Sequence, residues 1–220
     1  MAAAAATSLP AAKFDRQLGL SIYTVRGPMA KDPAGTYKRI AEAGIKTLEI
    51  RPVNLTEHAS MMKDAGLTPV HMFIDAAVVT GAWDEWADFS KRIAARMKIT
   101  MPPENPVRPK LEDLIDLAKQ HGVQRVGISM LLPGELEKAI DQMNAAAEKC
   151  ASAGLELYYH NHSFEFDGEP GKRFVDDLHK RLSRNVRLEI DVFWAAISGE
   201  DPAAMLKQWK GRVKSLHLKD

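Results

Sequence analysis

Cysteine is all but missing from this chain: Cys150 stands alone, so no internal disulfide can staple the fold. It falls on the apolar stripe of a predicted helix, where core packing is the expected role rather than thiol chemistry. Charge of one sign is also missing. Thirty Lys and Arg face 29 Asp and Glu, a net charge of +1. That balance gives no field to gather nucleic acid or an anionic membrane surface. No apolar run is long enough to cross a bilayer. The opening MAAAAATSLPAAK lacks the basic segment and strongly apolar core of a secretion signal. Residues 1–16 are expected to be a disordered tail ahead of one domain over 17–220. As written the chain reads as cytoplasmic, or as periplasmic if an upstream export signal has been lost.

What is present is a strict alternation of short apolar runs and helical stripes. Strands are predicted at Leu18–Thr24, Lys46–Arg51, Thr68–Asp75, Val123–Leu131, from Leu155, at Val186–Trp194 and at Val213–Lys219. Between them lie helices with recognisable signals. Asp32-Pro33 and Asp201-Pro202 each place an aspartate cap before a proline at the first helical position. Thr56 is expected to cap a short helix that ends at Gly66. Trp83, Trp86, Phe89 and Ile93 recur at helical spacing, which predicts an amphipathic helix over Asp84–Met97. The proline-broken MPPENPVRP then reads as irregular, either a lid or a surface connection. Leu136, Ile140, Met143, Ala147 and Cys150 line a helix stopped by Gly154.

Such alternation implies a parallel sheet with right-handed crossovers. The turn after the first strand, TVRGPMAKDP, holds no G-x-G-x-x-G, which disfavours an open dinucleotide-binding sheet. The polar faces favour a TIM-type barrel. Along LELYYHNHSFEF, Glu156, Tyr158, His160 and His162 share a face. Arg187, Glu189 and Asp191 do so on the sixth run, and Ser215, His217 and Lys219 on the seventh. Glu49, His71, Ser129, His160, Asp191 and His217 thus sit near the C-terminal ends of separate strands, where a barrel gathers its site. His160, Asp191 and His217 are suitable ligands for one divalent ion. Arg187, Glu189 and Glu156 lie earlier in their strands and read as an internal ion-pair layer. A barrel of this kind has eight strands; seven are counted, so an incomplete barrel with an exposed edge is expected, and with it self-association.

Taken together, LGLSIYTVR, DPAGTYKRIAEAGIKTLEI, YYHNHSFEF, LEIDVFWAAISGEDP and VKSLHLKD resemble the sugar phosphate isomerase/epimerase family, the xylose isomerase-like TIM barrels. The resemblance implies one divalent ion (manganese, zinc, magnesium or cobalt) held by glutamate, aspartate, histidine and glutamate on strands five to eight. Asp191 matches the aspartate and His217 the histidine. His160 stands in place of the first glutamate, with Glu165 close enough to substitute, and the final glutamate has no counterpart in this sequence.

The resemblance also implies isomerase or epimerase chemistry on a sugar or keto-sugar through a metal-stabilised enediolate. Glu165 and His162 are the candidate proton carriers. Glu49, His71, Trp194 and Lys219 are the candidate substrate contacts. For Glu165 a solvated loop charge fits as well, and for His162 a supporting hydrogen bond fits as well as direct contact. Competing functions on the same barrel are a lyase, hydratase or hydrolase of keto-glycosides, and a truncated sugar-binding remnant without turnover. DNA repair, which shares the fold, is disfavoured by the near-neutral charge.

Overall fold

A computed structural model describes residues 18–98, 107–132 and 136–219. The tail expected over 1–16, most of MPPENPVRP, Glu135 and the Ile93 side chain lie outside the described residues. In chain order the elements are β1 (Gly19–Ser21), a 3-10 turn (Ile22–Val25), α1 (Arg26–Lys31), α2 (Pro33–Glu42), β2 (Thr47–Ile50), α3 (Pro52–Asp64) and β3 (Thr68–Ile74). Next come α4 (Ala77–Thr80), α5 (Trp83–Met97), α6 (Leu111–Gln120), β4 (Arg125–Ile128), α7 (Leu136–Ser152) and β5 (Glu156–His160). A second 3-10 turn (Phe164–Phe166), α8 (Phe174–Arg181), β6 (Val186–Asp191), α9 (Val192–Ile197), α10 (Pro202–Gln208) and β7 (Val213–His217) complete it. No described helix is long and apolar enough to cross a membrane.

The strands form one parallel sheet in the order β1-β2-β3-β4-β5-β6-β7. Each strand pairs with its sequence neighbour, as successive βα units dictate. The sheet is rolled, and side chains measure how far. In a flat sheet β2 and β7 would lie five spacings apart, about 24 Å. Yet Glu49 Oε1 of β2 lies 3.7 Å from His217 Nε2 of β7. His71 Nδ1 of β3 likewise approaches Glu189 Oε1 of β6 to 3.6 Å. The seven strands are an incomplete TIM-type barrel whose inner face meets itself across the axis. Among the described residues β1 and β7 are its two edges. Leu18, Leu216 and Leu218 are exposed along those edges.

Alternation divides the strand residues between two cores. Leu48, Ile50, Met72, Ile74, Val126 and Ile128 face outward and pack under the helices. They meet Tyr37, Leu55, Met62, Ile140, Met143 and Cys150, all essentially buried. Cys150 is fully buried as expected, and burial pushes its thiol up to about 11, so it stays protonated and inert.

Helix signals mostly act where the sequence puts them. Asp32 Oδ1 accepts the Gly35 N–H at 2.9 Å with Pro33 at the first helical position. A Cβ on Gly35 would lie 2.0 Å from that carboxylate, so any other residue there would make the Asp32 side chain shift. Gly154 ends α7 at φ +79°, and the Leu155 N–H returns to the Cys150 carbonyl at 2.9 Å.

The fourth strand is shorter than expected, Arg125–Ile128, and the seventh ends at His217; three further boundaries depart for visible reasons. The first strand stops at Ser21 rather than Thr24. Paired on one side only, the β-branched run has no second ladder to hold it extended, and Ile22 turns under to become buried. The third helix starts at Pro52, not at Thr56. Asn54 Oδ1 accepts the Arg51 N–H at 2.9 Å and makes the start there. The sixth strand ends at Asp191, and Phe193 and Trp194 belong to a helix despite their strand propensity. The cap that turns them is Asp191 itself.

Candidate metal centre

The inner face of the barrel is polar at both ends. At the N-terminal end Arg187 Nε donates to Glu156 Oε1 at 3.0 Å, and Tyr158 Oη donates to Glu156 Oε2 at 3.0 Å. This is the ion-pair layer expected for Arg187 and Glu156. Glu189 does not belong to it. Above that layer lie Tyr158, Phe73 and His71, with His71 and Phe73 stacked at 4.6 Å. They have room because β4 presents Gly127 there. A Cβ on Gly127 would sit 2.3 Å from His71 Nε2 and 2.7 Å from the Phe73 ring.

At the C-terminal end, three carboxylates and three imidazoles alternate around a closed ring. His160 Nδ1 faces Glu189 Oε2 at 3.2 Å, and His160 Nε2 faces Asp191 Oδ2 at 3.5 Å. Asp191 Oδ2 lies 3.5 Å from His217 Nδ1. His217 Nε2 then faces Glu49 Oε1 at 3.7 Å, Glu49 Oε2 faces His71 Nδ1 at 3.8 Å, and His71 returns to Glu189 at 3.6 Å. The ring draws on β2, β3, β5, β6 and β7. Glu189, Asp191, His71 and His160 are buried, while Glu49 and His217 open toward solvent.

Within the ring His160, Asp191 and His217 hold one donor atom each inside 4.8 Å of one another. Glu49, His71 and Glu189 form a second such group one layer deeper. The residue types and the unsatisfied atoms fit a divalent ion at the first group. Asp191 Oδ1 accepts the N–H groups of Phe193 and Trp194 at 3.0 and 3.1 Å, which caps α9 and leaves Oδ2 facing the site. His217 Nδ1 is buried, and the carboxylate oxygen it faces, Asp191 Oδ2, stands at 3.5 Å, too far for a well-made hydrogen bond. Each of the two imidazoles turns its other nitrogen to a carboxylate, the arrangement that fixes a ligand's tautomer.

The charges are strongly biased. Burial works against ionisation of Asp191, yet His217, the Trp194 N–H, His160 and Lys219 hold its carboxyl at about 2. Burial likewise opposes the Glu189 charge, but His160 and His71 keep it well below the usual carboxylate range. Glu49 is pushed up, by burial first and then by Glu189. Burial pulls His217 down, but Asp191 and Glu49 prevail and raise it. One cation answers from the rim: Lys219 Nζ stands 3.3 Å from Asp191 Oδ2 and 4.8 Å above the Trp194 ring.

The structure brings His160, Asp191, His217, Glu49, His71, Trp194 and Lys219 into one region. His162 joins them at the rim, its ring 5.1 Å from His160 and 5.6 Å from Trp194. Burial, then the nearby His160 and Lys219, lower it to about 4, so it is neutral near pH 7. Glu165 stands apart and is no solvated loop charge. It is fully buried in the second 3-10 turn. Its oxygens accept from Tyr159 Oη at 2.5 Å and from the His162 N–H at 2.9 Å. Tyr159 packs edge-on to Phe174 in the outer core, so Glu165 sits behind the sheet and reaches the site only through the His162 backbone.

Two residues of the site escaped the sequence reading, and a third, Glu189, was placed on the right face but given another role. Glu189 follows the same alternation as Asp191, and that was the available signal. Gly127 is an isolated glycine inside a strand, a sign of close approach. Asn161 points off the inner face. Its Oδ1 accepts the Asp191 N–H at 3.0 Å and locks the ends of β5 and β6 together. Flanking histidines gave no hint of that.

Comparison with known proteins agrees with this architecture. A stretch of 94 residues is 31% identical to inosose dehydratase from Geobacillus kaustophilus, covering 42% of this chain and 30% of that protein. The chain thus aligns to less than a third of the curated relatives it matches. A sugar phosphate isomerase/epimerase structure from Parabacteroides distasonis superposes with a TM-score of 0.72 at 22% identity, over 99% of this chain and 80% of that one. D-psicose 3-epimerase from Clostridium cellulolyticum, solved with D-tagatose, superposes at 0.61 with 15% identity, over 92% and 72%. These two likenesses are of fold. The sequence pattern of the xylose isomerase-like TIM barrel matches residues 37–220, most of the chain. With the rolled parallel sheet and its polar mouth, that match places the chain in the xylose isomerase-like TIM barrel family.

Proposed function

We propose that the chain is an enzyme that moves a proton on the carbon beside a carbonyl of a sugar or keto-sugar, as an isomerase or epimerase does, with one divalent ion held by His160, Asp191 and His217. The observation that carries this reading is the ring of alternating acids and imidazoles closed around one mouth of the barrel. When bound, such an ion supplies Lewis-acid polarisation of a substrate carbonyl.

The chain's own groups have separable parts. Lys219 places a positive charge beside Asp191 where an oxyanion would develop. His162, neutral near pH 7, is free to accept a proton from carbon. The half-buried Trp194 offers a flat wall for the apolar face of a sugar ring. Glu49, partly exposed at the mouth, accepts a hydrogen bond from a hydroxyl. His71 lies a layer deeper and acts through Glu49 and Glu189 rather than by touching sugar. Glu165 positions His162 by holding its N–H.

The test is solvent exchange. The metal-loaded chain in deuterated water should place deuterium on the carbon beside the carbonyl of a ketose or an inosose, and His162→Ala should slow this about 100-fold or more. Absence of exchange from every keto-sugar tried, with the ion demonstrably bound, would leave only a sugar-binding role. One observation favours a second reading, the 31% identity to an inosose dehydratase. Dehydration shares the proton removal, then expels the hydroxyl of the next carbon as water. Product analysis separates the two: an isomer with the same atoms, or a compound lighter by one water.

A further inference from the structure

Two of the three donors at the mouth are imidazole nitrogens, and the one carboxylate among them has a single oxygen to give. We infer that this site is built for a divalent ion that favours imidazole nitrogen and few ligands, the class of zinc, and rejects oxygen-preferring ions such as magnesium. The inference rests on the single-ion reading above and deepens it.

Asp191 decides the oxygen count. Its Oδ1 is committed to the start of α9 through Phe193 and Trp194 at 3.0 and 3.1 Å, so only Oδ2 remains. Magnesium demands near-octahedral oxygen coordination and gives up water reluctantly. Zinc accepts nitrogen and oxygen at about 2.0–2.1 Å with four ligands. Bonds of that length put donors about 3.4 Å apart at a tetrahedral angle and about 2.9 Å apart at a right angle. His160 Nε2 and His217 Nδ1 each lie 3.5 Å from Asp191 Oδ2.

The nitrogens are also aimed. Glu189 faces His160 Nδ1 at 3.2 Å and Glu49 faces His217 Nε2 at 3.7 Å, so each imidazole turns its other nitrogen to Asp191. His217 Nδ1 is buried and stands 3.5 Å from Asp191 Oδ2, a spacing longer than a well-made hydrogen bond and close to that of two ligands on one tetrahedral ion. His160 is where the choice of ion is made, because a carboxylate there would leave one nitrogen against two oxygens. Glu189 is a positioning residue, since it touches His160 and His71 rather than the ion's place.

The test strips the whole chain with a chelator. Zinc, manganese and magnesium are then titrated separately by calorimetry, and the visible spectrum of the cobalt-loaded chain is recorded. Zinc should bind, magnesium should not bind at millimolar concentration, and cobalt should show the intense band of four-coordinate sites. Zinc outranks manganese at most sites, so the ratio alone decides nothing. His160→Glu should shrink that ratio by about tenfold or more, and Glu189→Gln should weaken zinc by about 10–100-fold. Magnesium binding as tight as zinc, a weak six-coordinate cobalt band, or an unchanged ratio in His160→Glu overturns the inference. If His160→Glu does not fold, the wild-type spectrum and the magnesium titration still decide. Failure of every ion to bind would overturn the single-ion reading itself, whereas magnesium binding overturns selectivity alone.

Discussion

The two ends of the barrel interior are made of similar residues and reach opposite ends. At the N-terminal end Glu156 meets Arg187 and Tyr158, and each carboxylate oxygen has a donor. At the C-terminal end acids meet imidazoles at 3.2–3.8 Å, and His217 Nδ1 comes no nearer than 3.5 Å to the Asp191 carboxylate it faces. A layer whose polar atoms are all answered holds the fold together. A layer left loosely paired although it is more deeply buried has a ligand as its missing member. The variants below try to break that contrast, starting with the largest expected effect.

Asp191→Ala should abolish measurable ion binding, and His217→Ala should do the same. Asp191 also caps α9, and losing a cap alone costs about 1 kcal/mol. Asp191→Asn separates the two roles. It keeps an oxygen for the Phe193 and Trp194 N–H groups but withdraws the charge. Calorimetric ion titration beside thermal unfolding checks this: Asn should nearly restore stability without restoring the ion. Unchanged ion content in both alanine variants would defeat the assignment.

Glu165 supplies the next largest effect, and it concerns stability. Burial raises its carboxyl to about 7, against the donors Tyr159 and His162 that pull it down. A raised carboxyl means the fold prefers the protonated form. Stability from this group is therefore full below its unfolded value near 4.5 and is lost as pH rises toward 7. At 1.36 kcal/mol for each pKa unit the loss is about 3 kcal/mol. Denaturant unfolding between pH 4.5 and 7 should show that decline, and Glu165→Gln should flatten it. Gly127→Ala follows in size. Its Cβ would collide with His71 and Phe73, and overpacking of this kind costs about 1–3 kcal/mol. Because His71 holds Glu189 and Glu49, the ion should weaken as well.

Lys219→Met acts in the other direction. A fixed ammonium 3.3 Å from Asp191 Oδ2 competes with any cation for that oxygen. Its removal should tighten the ion roughly tenfold at low salt, an effect that shrinks as salt screens the partly exposed lysine. Weaker ion binding in this variant would mean that Lys219 organises Asp191 rather than opposing the ion.

The barrel was legible in the sequence because each strand reports its inner face by period two. His160, Asp191 and His217 could be placed on common ground from spacing alone. Glu189 was legible in position but not in role, since its role depends on which side of the barrel curls toward it. The distance from β3 to β6 is a property of the closed sheet and not of any local stretch. Asp191 shows the other limit. Its strand was expected to run on to Trp194, because Phe and Trp favour strands, whereas its own carboxylate turns them into a helix. One side chain serves as cap and as donor, and only the turned backbone makes Oδ2 available. The burial of Glu165 was not legible, because nothing in HNHSFEF shows that the chain tucks its glutamate behind Tyr159.

Glu156→Gln is the smallest change and the sharpest control. It removes one charge from the interior while keeping an acceptor for Arg187 or Tyr158. Arg187 and Glu156 are each about a third or more exposed, 31% and 43%, so solvent already screens the pair. Such pairs contribute about 0–1 kcal/mol. The expected outcome is therefore unfolding within 1 kcal/mol or so of the parent and ion affinity within about twofold. Glu189→Gln makes the same chemical change two registers of the inner face away, beside His160, and should cost ion affinity and not merely stability. Equal effects from the two glutamine variants would mean the barrel interior is a single electrostatic unit, and the division between a structural end and a ligand-holding end would fall.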